Sequence, residues 1–252
     1  MRAKIDHSTR AHALLSASSA SRWLACPPSA VAAEAYPKQD TDYTREGTLA
    51  HEVAEMVART SLSGGCPDIE NFSGRPDFDD ITLEMFDCAR GYADYIEERK
   101  NSDDAVVLLE QRVDFSPWVP DGFGTCDCII LQGETMDVID YKYGKGVAVD
   151  AERNPQMMLY ALGALNDYGL AYDVSKIRMH IYQPRINNIS TFEIGVPELT
   201  HWAANVVKPT AAKAAKGAHV EHRILFPGFP ETARTLDINT LSDIRFASYF
   251  TT

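Results

Sequence analysis

Residues 125–143 constrain the fold of this chain more than any other stretch. Thr125–Leu131 and Thr135–Tyr143 are two β-type runs flanking Gln132-Gly133-Glu134, and a link this short closes a hairpin. If Gly133-Glu134 is a two-residue turn, Gln132 pairs with Thr135, and the same register sets Asp127 directly across from Asp140. Directly opposed side chains stand about 5 Å apart at Cβ, and like charges so placed are destabilising. Asp140 and Lys142, two positions apart, share a strand face, and Tyr141 points to the other. Opposed carboxylates call for a proton, a cation or a nearby lysine. A hard divalent cation suits them best, because Mg²⁺ takes one or two carboxylates, keeps several waters and meets a substrate phosphate. From spacing alone, Asp-x-Lys on a strand is more often an exposed ion pair, so the rest of the chain has to decide.

Upstream of the hairpin, Ala105–Phe115 is a further predicted strand. Its Leu109, Gln111, Val113 and Phe115 face away from Glu110, Arg112 and Asp114. Residues 1–15 lack periodicity and read as a loose arm. Ser18–Cys26 reads as a short serine-capped helix halted by Pro27-Pro28. In a helix from about Glu46 to Thr60, Leu49, Val53, Met56 and Val57 form one apolar stripe, and His51 and Glu55, at i and i+4, point roughly opposite to it. Another spans Thr82–Lys100. Asn154-Pro155 starts a helix that Gly169 ends; Lys176–Gln183 and Ile189–Val196 are predicted strands, and Glu198–Gly217 an alanine-rich helix. Helices, then strands, then helix, strands and helix predict an α/β fold: a small mixed central sheet flanked by helices, with an N-terminal helical subdomain. The expected divisions are an arm over 1–15, a helical subdomain over 16–104 carrying the His51 helix, a core over 105–217 and a divergent tail over 218–252.

With 252 residues, 45% of them hydrophobic, the chain has enough apolar surface for a real core, which rules out wholesale disorder. The longest apolar runs fall far short of the roughly 20 residues of a membrane helix, so no membrane partner and a cytoplasmic location are expected. The net charge of −12 is unevenly spread. Residues 1–141 carry 12 Lys+Arg against 26 Asp+Glu, whereas 142–223 carry 10 against 7. That argues against a large electrostatic footprint on DNA but allows carboxylates to converge on a cation beside the one net-basic segment.

Gly124-Thr125-Cys126-Asp127 and Asp140-Tyr141-Lys142 resemble the PD-(D/E)xK nuclease signature, and the chain around them resembles its RecB-like exonuclease branch. In that branch an upstream helical histidine, an acidic residue on the first core strand, the two motif carboxylates with the lysine, and a later Gln-x-x-x-Tyr follow in this order. Here they are His51, Glu110, Asp127, Asp140 and Lys142, and Gln156 with Tyr160. Ser16-Ala17-Ser18 through Trp23 to Cys26-Pro27 also resembles the opening of RecB-like and CRISPR-associated exonucleases. The likeness covers about residues 14–217 and is nearest to an uncharacterised phage and prophage family.

The resemblance implies a restriction-endonuclease-like core over 105–217 and a Mg²⁺- or Mn²⁺-dependent deoxyribonuclease, an exonuclease in phage recombination or replication. His51, Asp127, Asp140 and the Tyr141 backbone carbonyl would be metal ligands. Asp127, Asp140, Lys142, Glu110, Gln156 and Tyr160 would form the catalytic set, in which Lys142 positions the attacking hydroxide. Lys145, Arg153, Arg185 and the Lys208/Lys213/Lys216 helix are candidate phosphate contacts. The implied partners are DNA ends, single-stranded or duplex, and a phage single-strand-binding or annealing protein. Two alternatives stand beside this reading: a catalytically impaired DNA-end-binding or assembly subunit of the same fold, and a zinc hydrolase using His51, Cys126 and Cys128.

Many such nucleases hold a four-cysteine iron–sulfur cluster, with one cysteine upstream of the core and three near the C-terminus. Cys26 matches the upstream one as a vestigial candidate, but no cysteine follows Cys128 among the five. Cys126 and Cys128 alternate with Asp127 and are expected to turn together into the far side of the sheet as buried small hydrophobes. The purified protein is expected to be colourless and to contain no stoichiometric iron by elemental analysis; a brown protein with a full iron complement would contradict this.

Overall fold

A computed structural model of the protein describes residues 13–34 and 41–216. The tail over 218–252 and most of the arm lie outside the described residues. Within the arm, Leu15 is not loose but 1% exposed, packed with Ala17, Ala20 and Trp23.

The described chain runs α1 (Ala20–Ala25), α2 (Ser29–Glu34), α3 (Asp42–Leu62), α4 (Leu83–Arg99), β1 (Val106–Asp114), β2 (Phe123–Gln132), β3 (Thr135–Tyr141), α5 (Pro155–Tyr168), β4 (Lys176–Gln183), β5 (Asn188–Gly195), α6 (Val196–Trp202) and α7 (Lys208–Ala215). Asn154 caps α5 by accepting from the amides of Gln156 and Met157, with Pro155 in the first turn and Gly169 at the far end. α3 begins four residues before its expected start because Thr41 and Thr44 form a reciprocal capping box. The expected helix over 198–217 is continuous in outline but passes through a π-helical turn at Ala203–Val207.

The five strands lie in sequence order, β1-β2-β3-β4-β5. Only β3 and β4 pair in parallel, and α5 makes the crossover between them. The β2–β3 register runs from Gln132↔Thr135 to Cys128↔Ile139, as a two-residue turn at Gly133-Glu134 requires. Gly133 takes a φ of 56°, the left-handed conformation that glycine adopts without strain.

Helices cover both faces of this sheet. On one, α5, α6 and α7 pack over Ile129, Leu131, Val138, Met179 and Ile181; on the other, α3 and α4 pack over Cys128, Ile130, Ile139 and Tyr141. The N-terminal helices do not join α3 and α4. Trp23 is fully buried on the α5 side, its indole N–H donating to the Ser16 carbonyl at 3.1 Å. Residues 16–104 thus form an N-terminal helical region whose helices pack on both faces of the sheet, α1 and α2 on the α5 side and α3 and α4 on the other.

The strand alternation also breaks. Leu109 packs on the α3–α4 face, but Val113 and Phe115, which an unbroken strand would place beside it, pack on the α5 face; Cys128 and Cys126 part in the same way. The reversal occurs at Glu110, whose φ of 51° lies in the left-handed region. The ladder runs Leu109↔Cys128 and then Gln111↔Cys126, with Glu110 and Asp127 between. The expectation that both cysteines turn to one side is thus corrected: each thiol is buried, in a separate core.

A polar network is buried where α4 meets β3 and β4. Asp137, with no exposed surface, accepts from Arg178 at 2.8 Å and meets His180 Nε2 at 2.9 Å, and His180 Nδ1 lies 2.9 Å from the Tyr95 hydroxyl. Burial raises the Asp137 pKa, but His180 and Arg178 outweigh it and hold the carboxyl below its usual range. Asp137→Ala is expected to cost about 3–5 kcal/mol in urea unfolding, the usual range for stripping one partner from a buried ion pair; a loss below about 1 kcal/mol would show that the network carries little.

Candidate metal-binding and catalytic site

Continuing the β2–β3 register past Cys128↔Ile139 would pair Asp127 with Asp140 and Cys126 with Tyr141, but the ladder ends first. The Tyr141 amide instead donates to Asp127 Oδ2 at 2.7 Å. A side-chain carboxylate thus satisfies a backbone donor that burial would otherwise orphan. The strands fork at this point, and side chains from both faces of the sheet reach the gap.

From α3, His51 turns Nδ1 toward Asp127 Oδ1 at 3.5 Å and sets its ring edge-on to Tyr141. From β1, the left-handed Glu110 brings a third group. One ligand atom each from His51, Glu110 and Asp127 lies within 4.8 Å of the others. Burial alone would lower the His51 pKa, but Asp127, Asp140 and Glu110 together reverse this and raise it to about 9. Burial and the neighbouring Asp127 raise Glu110 to about 7, against relief from His51. One imidazole nitrogen and two carboxylates, one of them strained toward its neutral form by the other, are a donor set that fits a hard divalent cation.

Asp140 occupies the neighbouring position. It is 4% exposed, with Oδ2 2.7 Å from Lys142 Nζ and Oδ1 accepting from Gln156 Nε2 at 2.9 Å. Gln156 Oε1 accepts from Lys142 at 3.5 Å, so the amide at the start of α5 holds both motif side chains. Burial pushes Asp140 up to about 6; Lys142 opposes that shift and Asp127 adds to it. Tyr160, one turn along α5, places its hydroxyl 3.5 Å from Gln156 Nε2. Its ring closes on Gly124, where a Cβ would fall 2.7 Å from a ring carbon.

The structure therefore brings together His51, Glu110, Asp127, Asp140, Lys142, Gln156 and Tyr160. The Tyr141 amide engages the site through Asp127. Glu55 does not partner His51 as helical spacing allows; it pairs with Arg59 at 2.7 Å. The basic candidates are tied to carboxylates: Lys145 to Glu84, Arg153 to Glu198, and Arg185 to both Glu46 and Glu84. Arg185, only 10% exposed and lying over the Tyr143 ring, clamps α3 to α4. Lys208, Lys213 and Lys216 are exposed along the α7 segment, which packs on α1 and α2. Cys26 is a partly exposed residue with a free thiol at the C-terminus of α1, where its backbone N–H donates to the Arg22 carbonyl. Burial pushes the Cys126 and Cys128 thiols up, and their separate cores remove the basis for one zinc ion held by both with His51.

The family model described as "Protein of unknown function (DUF2800)" matches residues 12–222. The chain belongs to this family. The matched span contains every residue of the site and both helical layers. Among solved structures, the one described as "Crystal structure of SSO0001" is 14% identical, with 78% of this chain and 85% of that chain covered and a TM-score of 0.28, a likeness too slight to argue from. Among the described residues no helix is long and apolar enough to cross a membrane.

Arg59 went unnoticed in the sequence, although it continues the His51, Glu55 series at helical spacing. It donates to the Leu109 carbonyl at 3.3 Å, as the Gln111 amide does at 2.9 Å, and so supports the backbone on which Glu110 reverses. The Glu110 shift has a consequence for stability. Between its ordinary value of 4.5 and about 7 the folded protein holds a proton that the unfolded chain has released, so stability falls across that window and the cost is full above it. Glu110→Gln is expected to raise the metal-free melting temperature at pH 8 and to leave it nearly unchanged at pH 5; a lower melting temperature at pH 8 would contradict this account.

Proposed function

We propose that this protein is a metal-dependent deoxyribonuclease of the RecB-like PD-(D/E)xK kind, hydrolysing phosphodiester bonds in DNA. The observation that carries the reading is the meeting of the His51, Glu110 and Asp127 ligand atoms with a buried Asp140 paired to Lys142. His51, Glu110 and Asp127 would hold Mg²⁺ or Mn²⁺, and Asp140 lies next to them. When bound, such an ion lowers the pKa of water and polarises a phosphoryl oxygen.

The chain's own groups divide the remaining work. Asp140 anchors the Lys142 ammonium, and Gln156 hydrogen-bonds to both. Lys142, a fixed positive charge about a quarter exposed, is placed to offset the negative charge that develops on a pentacovalent phosphorus. Tyr160 meets the Gln156 amide with its hydroxyl and Gly124 with its ring, and would line the approach of a DNA strand. The acidity of the N-terminal half suits a cation-bridged contact with phosphate better than a broad basic groove.

The test is direct. Protein is incubated with labelled linear single-stranded, linear duplex and circular DNA in Mg²⁺, Mn²⁺ or EDTA. Cleavage of linear DNA with either metal and none in EDTA is expected, and Asp140→Ala is expected to abolish it with the circular dichroism spectrum unchanged. Full activity in that variant, or no metal-dependent cleavage of any substrate by the wild type, would overturn the reading; cleaved circles would make the enzyme an endonuclease.

A further inference from the structure

His51 and Arg59 reach two different strands from the same helix. His51 meets Asp127 on β2 at 3.5 Å. Arg59 stands eight residues further along α3, about 12 Å at 1.5 Å per residue, and donates from a terminal guanidinium nitrogen to the Leu109 carbonyl on β1 at 3.3 Å. The next residue, Glu110, is where β1 turns left-handed and supplies the third ligand atom of the site. One helix therefore ties down both strands that bring carboxylates to His51.

The conformation at Glu110 needs such a tie. A residue with a Cβ is strained in the left-handed region and persists there only where its surroundings over-determine it. The Leu109 carbonyl has two side-chain donors, Arg59 and the Gln111 amide at 2.9 Å. Gln111 belongs to β1 and moves with it, so it shapes the reversal without fixing where Glu110 stands relative to α3. Arg59 does fix this, because its Nε donates to Glu55 Oε1 at 2.8 Å and Glu55 lies one turn before it on α3. The planar guanidinium serves both acceptors at once in a set geometry, which a lysine ammonium on a flexible stem does not. The charges balance as well. A bare cation beside the site would oppose a divalent ion, and Glu55 cancels it at 2.7 Å. Burial and Asp127 dominate the pKa of Glu110, but Glu55 and Arg59 also act on it, in opposite senses, so both stand within electrostatic reach of its carboxylate.

We propose that Arg59 is a positioning residue for Glu110. By spanning Glu55 and the Leu109 carbonyl it holds β1 in the reversed conformation that delivers the Glu110 carboxylate to His51 and Asp127, while Glu55 keeps its charge from repelling the cation. The inference rests on the cation site of the nuclease reading for what Glu110 is delivered to. It adds a supporting layer in which α3 sets both a ligand and the strand that carries another. Groups that orient metal ligands in this way commonly set the affinity of the site as strongly as a ligand does.

The experiment uses the full chain. Mn²⁺ binding is followed by the electron paramagnetic resonance of the free ion, and the metal-free protein gives a melting curve and the backbone ¹³C shifts of Glu110 by NMR. Arg59→Met, which keeps the aliphatic stem and removes the fork, is expected to weaken Mn²⁺ binding about tenfold or more, the range for a group that orients a metal ligand. Its Glu110 shifts should move from left-handed toward strand values, and its metal-free melting temperature should change by no more than about 2–4 °C, as for an exposed ion pair. Glu55→Gln keeps the acceptor but leaves the Arg59 charge uncancelled; it should weaken Mn²⁺ binding to a smaller extent with the Glu110 shifts unmoved. Arg59→Lys should fall between wild type and Arg59→Met, and full wild-type affinity there would overturn the role of the fork. A wild type that binds Mn²⁺ and an Arg59→Met that binds it equally well overturn the positioning role and leave the cation site standing. A wild type that binds no Mn²⁺ ends the nuclease reading instead. The Glu110 shifts then decide the role of Arg59 by themselves: strand-like values in Arg59→Met support it, and unchanged values overturn it.

Discussion

A backbone amide on β3 takes a side-chain carboxylate from β2 in place of a strand carbonyl, and the geometry of the site follows from that exchange. Had the ladder continued, Asp127 and Asp140 would face each other as a repelling pair on a closed sheet. Because Asp127 Oδ2 accepts from the Tyr141 amide instead, the two strands separate while Tyr141 stays paired to Tyr182 in the parallel ladder to β4. Asp127 is then held by the backbone on one oxygen and free to meet His51 with the other. Asp140 turns to Lys142 and Gln156. The two carboxylates thus take different partners.

Every other element of the site answers to this fork. The two helical layers reach it from opposite faces, α3 with His51 and α5 with Gln156 and Tyr160. Glu110 reaches the gap only because β1 reverses its alternation through a left-handed residue, and Arg59 and Gln111 hold the displaced Leu109 carbonyl. A non-glycine residue in that conformation costs of order 1 kcal/mol or more. Together with the raised Glu110 and Asp140 pKa values, this marks a region where packing works against local preference, as functional sites commonly do.

Much of the architecture was legible in the sequence because its signals are local. Asn154-Pro155 and Gly169 bounded α5 through capping chemistry, and Gly133-Glu134 fixed the hairpin register as far as Ile139. Asp140 and Lys142 share a face, as period-two geometry demands. The failures are long-range. Nothing near Trp23 says which face of the sheet it will cover, so the N-terminal helices were grouped with α3 and α4 although they pack on the other side. The reversal at Glu110 was invisible because the alternation of Leu109, Gln111, Val113 and Phe115 looks unbroken in one dimension. The same break sent Cys126 and Cys128 into separate cores. Arg185 looked like a free cation, but Glu46 and Glu84 are distant in sequence and close in space.

Diffraction from crystals grown with Mn²⁺, recorded at the manganese edge, reads directly whether the fork binds a divalent cation. One strong anomalous peak coordinated by His51, Glu110 and Asp127 is expected, with Asp140 and Lys142 beside it. No peak at the fork at saturating Mn²⁺, or an ion bound only by groups elsewhere on the chain, would contradict a cation site there.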